Sequence, residues 1–209
     1  MQGIQLATFI AELNDLELWG TDIGNAYLES YTTEKVCFIA GNEFGEQAGH
    51  LMIIEKALYG LKSRGKCWHD KLFEVLDDMG FTPSKAEPDI WMRKKRDHYE
   101  YIACYVDDLL IASRDPQSII NGLEATPHSF TLKGTGPVKF HLGCDFWRDK
   151  EGTLCVGPRT YIERMGDQYR TMFGEKPSTK YSSPLENNDH PELDTTPCLL
   201  YTSPSPRDS

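Results

Sequence analysis

The chain has 209 residues, 39% hydrophobic and 26% charged, enough for one domain with a real core and too few for two full-sized ones. Its formal charge of -10 argues against a generic nucleic-acid coating protein, which needs an excess of Lys and Arg to neutralise phosphates. No apolar run approaches the roughly 20 residues of a membrane-spanning helix, and Met1-Gln2-Gly3-Ile4 lacks the basic start of a signal peptide; an intracellular, cytoplasmic protein without membrane contact is expected.

Ile4, Leu6, Ala7, Ile10 and Leu13 fit one helical stripe, ended by Asn14-Asp15. Leu16 to Ile23 alternates like a strand and carries Asp22 near its end, before Gly24-Asn25 breaks the pattern. A second strand is expected at Lys35 to Ala40 and a loop at Gly41 to Gly49. Ser63 to Met79 predicts a helix, because Trp68, Leu72, Val75, Leu76 and Met79 share a face and Gly80 follows as a cap. Asp89 to Arg93, Tyr99 to Val106 and Leu109 to Ser113 read as strands of two consecutive hairpins, with Asp107-Asp108 as the second turn. A helix is expected at Pro116 to Ser129, a hairpin from Val138 to Trp147 and Thr153 to Val156, and a helix at Thr160 to Phe173. The six cysteines are scattered without metal-ligand spacing and read as free thiols. The mixture of helices and antiparallel hairpins is an α+β pattern.

Tyr105-Val106-Asp107-Asp108 lies between Ile102-Ala103-Cys104 and Leu109-Leu110-Ile111-Ala112. Two acids between strands can be ordinary turn residues, but a solvent-exposed hairpin would alternate polar residues along its arms, and these arms are apolar. Adjacent carboxylates repel unless a cation lies between them, and hard oxygen donors suit Mg²⁺. Successive strand residues point to opposite faces, so Asp107 and Asp108 should not be equivalent ligands. Asp22 alone reads as a turn residue. With Asp107 it is the best second acid for holding two ions about 3.5 to 4 Å apart, the arrangement that clamps an in-line phosphoryl displacement. Two local basic stretches stand out, residues 56–71 and 93–96, each with a net charge of +4. In isolation these are solvated faces; beside a polymer-handling site they gain a purpose.

Taken together the motifs resemble those of copia-type retrotransposon reverse transcriptases. Asp22-Ile23-Gly24-Asn25-Ala26-Tyr27-Leu28 resembles motif A and Tyr105-Val106-Asp107-Asp108 the Tyr-x-Asp-Asp motif. Lys56-Ala57-Leu58-Tyr59-Gly60-Leu61-Lys62 with Trp68-His69-Asp70-Lys71-Leu72 is similar to the copia hallmark. Phe130-Thr131-Leu132-Lys133 with Phe140-His141-Leu142-Gly143-Cys144-Asp145 resembles the primer-grip region, and Tyr161-Ile162-Glu163-Arg164 continues the match. The resemblance implies an RNA-directed DNA polymerase with a palm of antiparallel sheet backed by helices. It implies Asp22, Asp107 and Asp108 as catalytic residues that bind two Mg²⁺, or Mn²⁺, with the Ile23 carbonyl. Tyr27, Gly60, Lys62, Tyr105 and Val106 would meet the nucleotide, Tyr27 either as a steric gate against a ribose 2′-hydroxyl or as a core tyrosine. Lys56, Arg64, Lys66, Lys71, His141, Leu142 and Gly143 would meet primer and template. The implied partners are an RNA or DNA template, a DNA primer and deoxynucleoside triphosphates.

Ser63-Arg64-Gly65-Lys66 stands where many copia-type sequences have Gln-Ala-Pro-Arg. The family's fingers precede motif A by a longer stretch than the one here, and RNase H and integrase are expected elsewhere in a full Pol protein. Residues 1–185 are therefore expected to be a palm with the start of a thumb or connection, inactive by itself, and housed in a virus-like particle if the element is active. Residues 186–209 read as a disordered tail, within which Cys198 to Asp208 is encodable by a sequencing-library adapter and is expected to be an artefact. The rival readings are a non-catalytic remnant of a decayed retroelement and a metal-dependent nuclease using the same carboxylates.

Overall fold

A computed structural model describes residues 2–125 and 129–176, which fall into two compact units, Met1–Tyr161 and Ile162–Ser209. The expected boundary at 185/186, the tail and Cys198 lie outside the described residues. So do residues 126–128, within the helix expected at Pro116 to Ser129.

The first unit opens with helix α1 (Gln2–Leu13) and strand β1 (Glu17–Ile23), then a 3₁₀ turn at Ala26–Glu29. Strand β2 (Cys37–Ile39) is shorter than expected and pairs with β3 (Leu51–Ile53), a strand the sequence did not reveal; the expected loop between them carries 3₁₀ turns at Asn42–Gln47. Helix α2 (Arg64–Asp78) falls where its periodicity predicts. The short β4 (Thr82–Pro83), β5 (Ile90–Lys94), β6 (Tyr99–Tyr105) and β7 (Asp108–Ser113) follow as a meander. Helix α3 (Pro116–Glu124) starts with the Asp115 carboxylate accepting from the Ser118 amide at 3.2 Å, a standard N-cap. Strand β8 (Leu132–Pro137) was not expected, and the last hairpin region resolves into β9 (Phe140–His141), β10 (Cys144–Arg148) and β11 (Leu154–Gly157). Helix α4 (Arg159–Phe173) crosses into the second unit, where the Tyr169 and Phe173 rings lie 4.6 Å apart.

The main sheet has the order β4-β5-β6-β7-β1-β8, with every pair antiparallel. Because side chains alternate along a strand, its two faces bury different sets. On one face Ile102, Leu109 and Ile111 join Ile23, Trp68, Leu72, Val75 and Leu76, together with Ile119, Ile120 and Leu123, so α2 and α3 cover it. On the other, Ala103 and Leu110 pack with Ala7 and Ile90, and Ala112 with Ala11 and Leu16, under α1. Cover on both sides explains why the arms of the Asp-bearing hairpin are continuously apolar. Each fully buried Leu, Ile or Val on α2 or α3 contributes about 1.5 to 3 kcal/mol.

One expectation is corrected at the hairpin tip. Asp108 is not a turn residue but the first residue of β7, opposite both Tyr105 and Asp22. The turn is Val106-Asp107, with Val106 at φ 59. Among the described residues the cysteines are free thiols, and no helix is long and apolar enough to cross a membrane.

Candidate active site

The site forms where β1 ends between β7 and β8. Asp22 lies opposite Asp108 on one side and Lys133 on the other, so a carboxylate and an ammonium-bearing residue flank it in the sheet. A register shift between Gly20 and Asp22 on the β8 side marks a bulge, a device that re-aims side chains near a strand end. Asp107 follows in the turn, where its carbonyl accepts from the Ile23 amide at 2.9 Å. Gly24 donates to the Thr131 carbonyl at 2.8 Å, and a Cβ at Gly24 would stand 3.2 Å from that oxygen and 3.0 Å from Lys133 Cε. Glycine thus lets β1 leave the sheet close against β8.

The electrostatics reflect this crowding. Burial raises the Asp22 carboxyl above its usual value, the negative charge of Asp107 raises it further, and Lys133 opposes both. Burial likewise raises Asp108, with Asp107 and then Asp22 adding to the shift. Asp22 and Asp108 line a groove of about 340 Å³ with Gly20, Lys133, Lys139 and His141. The carboxylate oxygens and their mutual repulsion suit a hard divalent cation in kind. Among the described residues, however, no three His, Cys, Asp or Glu side chains converge as a complete metal cage.

Tyr27 sits half-buried on the core in the 3₁₀ turn that follows the left-handed Asn25. Its ring meets Tyr59 edge-on at 5.0 Å, and the Arg64 guanidinium lies 5.7 Å from its centre. Gly60, exposed and at φ 104, makes the turn beside Tyr59. Arg64 ties that turn to α2 by donating to the Leu61 carbonyl at 2.8 Å, and Glu34 accepts from the Ser63 amide at 2.6 Å at the helix start.

The basic run separates in space. Lys56 lies 4.0 Å over the Tyr31 ring, Lys62 and Lys66 are exposed, and Lys71 shares a shallow groove with Glu29, Asp70 and Glu74. His141 is buried at 5% exposure, its protonation disfavoured by that burial and its Nε2 without a hydrogen-bond partner. Leu142 and Gly143 form the β9–β10 turn with positive φ. Tyr105 and Val106 are exposed, and the Val106 carbonyl accepts from the Trp68 indole at 2.7 Å. The structure therefore sets Asp22 opposite Asp108 in a groove that His141 also lines, with Asp107 close enough for its charge to act on both, and brings Tyr27 together with Arg64 and Tyr59. Sequence reading missed Lys133 and Tyr59 as neighbours of these groups. Lys133 is found only through the β1–β8 register, whereas Tyr59 stands next to Gly60 and was legible as an aromatic in a basic stretch.

Residues 1–173 match the family model described as reverse transcriptase (RNA-dependent DNA polymerase). The chain belongs to the reverse transcriptase family. Among similar proteins of this family's retroelements, it is 29% identical over 143 residues to the Retrovirus-related Pol polyprotein from transposon RE1 of Arabidopsis thaliana, covering 68% of this chain and 10% of that one. It is 25% identical over 191 residues to the Retrovirus-related Pol polyprotein from transposon TNT 1-94 of Nicotiana tabacum, covering 89% and 14%. It is also 25% identical over 181 residues to the putative transposon Ty5-1 protein YCL074W of Saccharomyces cerevisiae, covering 84% and 59%. These relatives support the copia-type assignment of this reverse transcriptase domain, which spans a small part of the length of the two plant polyproteins.

Proposed function

We propose that this reverse transcriptase domain carries the polymerising centre of a copia-type retrotransposon, extending a DNA primer on an RNA or DNA template from deoxynucleoside triphosphates. The observation that carries the reading is the meeting of Asp22 with Asp108 across β1 and β7, with Asp107 in the turn beside them. The main sheet, backed by α2 and α3, is the palm in this reading. Asp22, Asp107 and the Ile23 carbonyl would hold Mg²⁺ or Mn²⁺, with Asp108 supporting. Bound there, the ions supply Lewis acidity and charge neutralisation at the phosphate oxygens.

The chain's own groups divide the remaining work. Asp107 stands where its charge reaches both other carboxylates, so it governs how strongly the group attracts cations. Lys133 offsets the negative charge on the β8 side of the groove. The Tyr27 ring, with Tyr59 and Arg64 beside it, would exclude a 2′-hydroxyl by contact. Gly60, Lys62 and Val106 lie on exposed turns, and Tyr105 at the exposed end of β6, where a nucleotide would sit. Lys56, Arg64, Lys66 and Lys71, with the segment from His141 to Gly143, would track primer and template. Fingers, RNase H and integrase would accompany this domain in the whole Pol protein, inside the cell and within a virus-like particle of an active element.

Mn²⁺ titration followed by electron paramagnetic resonance tests the reading. Weak binding by the chain, lost in Asp107→Asn and Asp22→Asn, is expected. Binding that survives both substitutions places the cation elsewhere.

A further inference from the structure

We propose that Trp68 is a positioning residue for the carboxylate turn: its indole N–H holds Val106 in a left-handed conformation and so fixes where Asp107 stands beside Asp22. Val106 has φ 59, a region that β-branched residues rarely adopt because the side chain crowds its own backbone. The residue is 44% exposed, so packing does little to keep it there. The restraint comes from the backbone. Trp68, on α2 and 2% exposed, donates its indole hydrogen to the Val106 carbonyl at 2.7 Å, across 38 residues of sequence. A buried indole N–H needs an acceptor, and this one is supplied by the turn.

The next peptide unit is held from the other side, where the Ile23 amide donates to the Asp107 carbonyl at 2.9 Å. Two consecutive carbonyls of the turn are thus fastened to different elements, Val106 to α2 and Asp107 to β1. A two-residue hairpin turn that began with glycine would adopt positive φ without help; with valine there, the helix must enforce it. The Trp68 ring also packs 5.6 Å from Phe130 in the main core, which anchors the donor. The latch stands on this geometry alone. Its consequence for catalysis rests on the function proposed above.

The test is amide hydrogen exchange by NMR on the whole chain. Trp68→Phe keeps an aromatic ring against Phe130 and removes the donor. The Ile23 amide should lose about tenfold in protection, the effect of one hydrogen bond, while the other β1 amides keep theirs. Adding Val106→Gly should restore it, since glycine accepts the positive φ without strain; a loss of core packing would not be rescued this way. Phe130→Leu, which loosens the same core and keeps the donor, should lower β1 protection evenly. Unchanged Ile23 protection in folded Trp68→Phe overturns the proposal.

Should Trp68→Phe not fold, the unmodified chain decides. The Trp68 indole N–H should exchange far more slowly than that of Trp147, a residue 36% exposed, and equal rates overturn the latch. Mn²⁺ affinity provides a second readout, expected to fall several-fold in Trp68→Phe and to recover in the double variant. If Ile23 protection falls but the unmodified chain binds no Mn²⁺, the latch stands and the metal reading fails.

Discussion

Asp22 and Asp108 face each other across the β1–β7 pair, and burial first, then the charge of Asp107, raises both carboxyls above their ordinary range. The folded protein therefore holds these protons more tightly than the unfolded chain does. For such a group the favourable contribution is complete below the unfolded value of 3.8 and is lost as pH rises through the higher folded value. At neutral pH without metal the pair destabilises the fold. Asp108→Asn should raise Tm by about 2 to 4 °C at pH 7, with the gain shrinking towards pH 3.5 and narrowing when Mg²⁺ is added. Calorimetry at the two pH values checks this, and a lower Tm for Asp108→Asn at pH 7 would contradict it.

Lys133 acts in the opposite sense. As the cation opposite Asp22, it relieves part of the crowding, and Lys133→Met should destabilise the metal-free chain at pH 7 by up to about 1 kcal/mol, a modest value because the side chain meets water. Urea unfolding of Lys133→Met and of Lys133→Met/Asp22→Asn measures it, the second substitution being expected to cancel most of the loss.

The hairpin bearing Asp107, helix α2 and the strand carrying Asp22 near its end were all legible, because their apolar patterns are local. Strand β8 was not. Its Leu132–Pro137 stretch contains two glycines and Pro137 and shows no apolar alternation; it is a strand because β1 offers it backbone partners more than a hundred residues away. Lys133 was missed for the same reason, since its place opposite Asp22 depends on a non-local register. Strands β3 and β4 are three and two residues long, below the length at which periodicity is visible. The turn was displaced by one residue because valine is a poor sequence signal for positive φ, and the Trp68 hydrogen bond that enforces it joins distant segments.

Leu76 tests the packing of α2 on the sheet. It is fully buried in the main cluster, and Leu76→Ala should cost about 2 to 5 kcal/mol through lost transfer energy and a residual cavity. That is a large part of the roughly 5 to 15 kcal/mol of a typical domain. Denaturant titration with an unchanged slope would confirm a stability effect without a change of fold.

Tyr27 bears on sugar selection. Its ring is half-buried with Tyr59 and Arg64 beside it, so in the proposed reading truncation removes the wall against a 2′-hydroxyl as well as some packing. In a polymerisation-competent Pol protein carrying this domain, Tyr27→Ala should raise ribonucleotide use relative to deoxyribonucleotide use by about tenfold or more, with a smaller change in deoxyribonucleotide turnover. Unchanged discrimination together with a lower Tm would make Tyr27 a packing residue only.

The most direct test of the polymerising centre is single-turnover primer extension with this domain in a complete copia-type Pol protein, comparing the unmodified sequence with Asp107→Asn. Extension that depends on template and divalent metal is expected from the first. A fall of about a hundredfold or more is expected from the second, about 2.7 kcal/mol or more of lost transition-state stabilisation. Extension by Asp107→Asn at the unmodified rate would contradict the assignment of the carboxylate turn as the centre of catalysis.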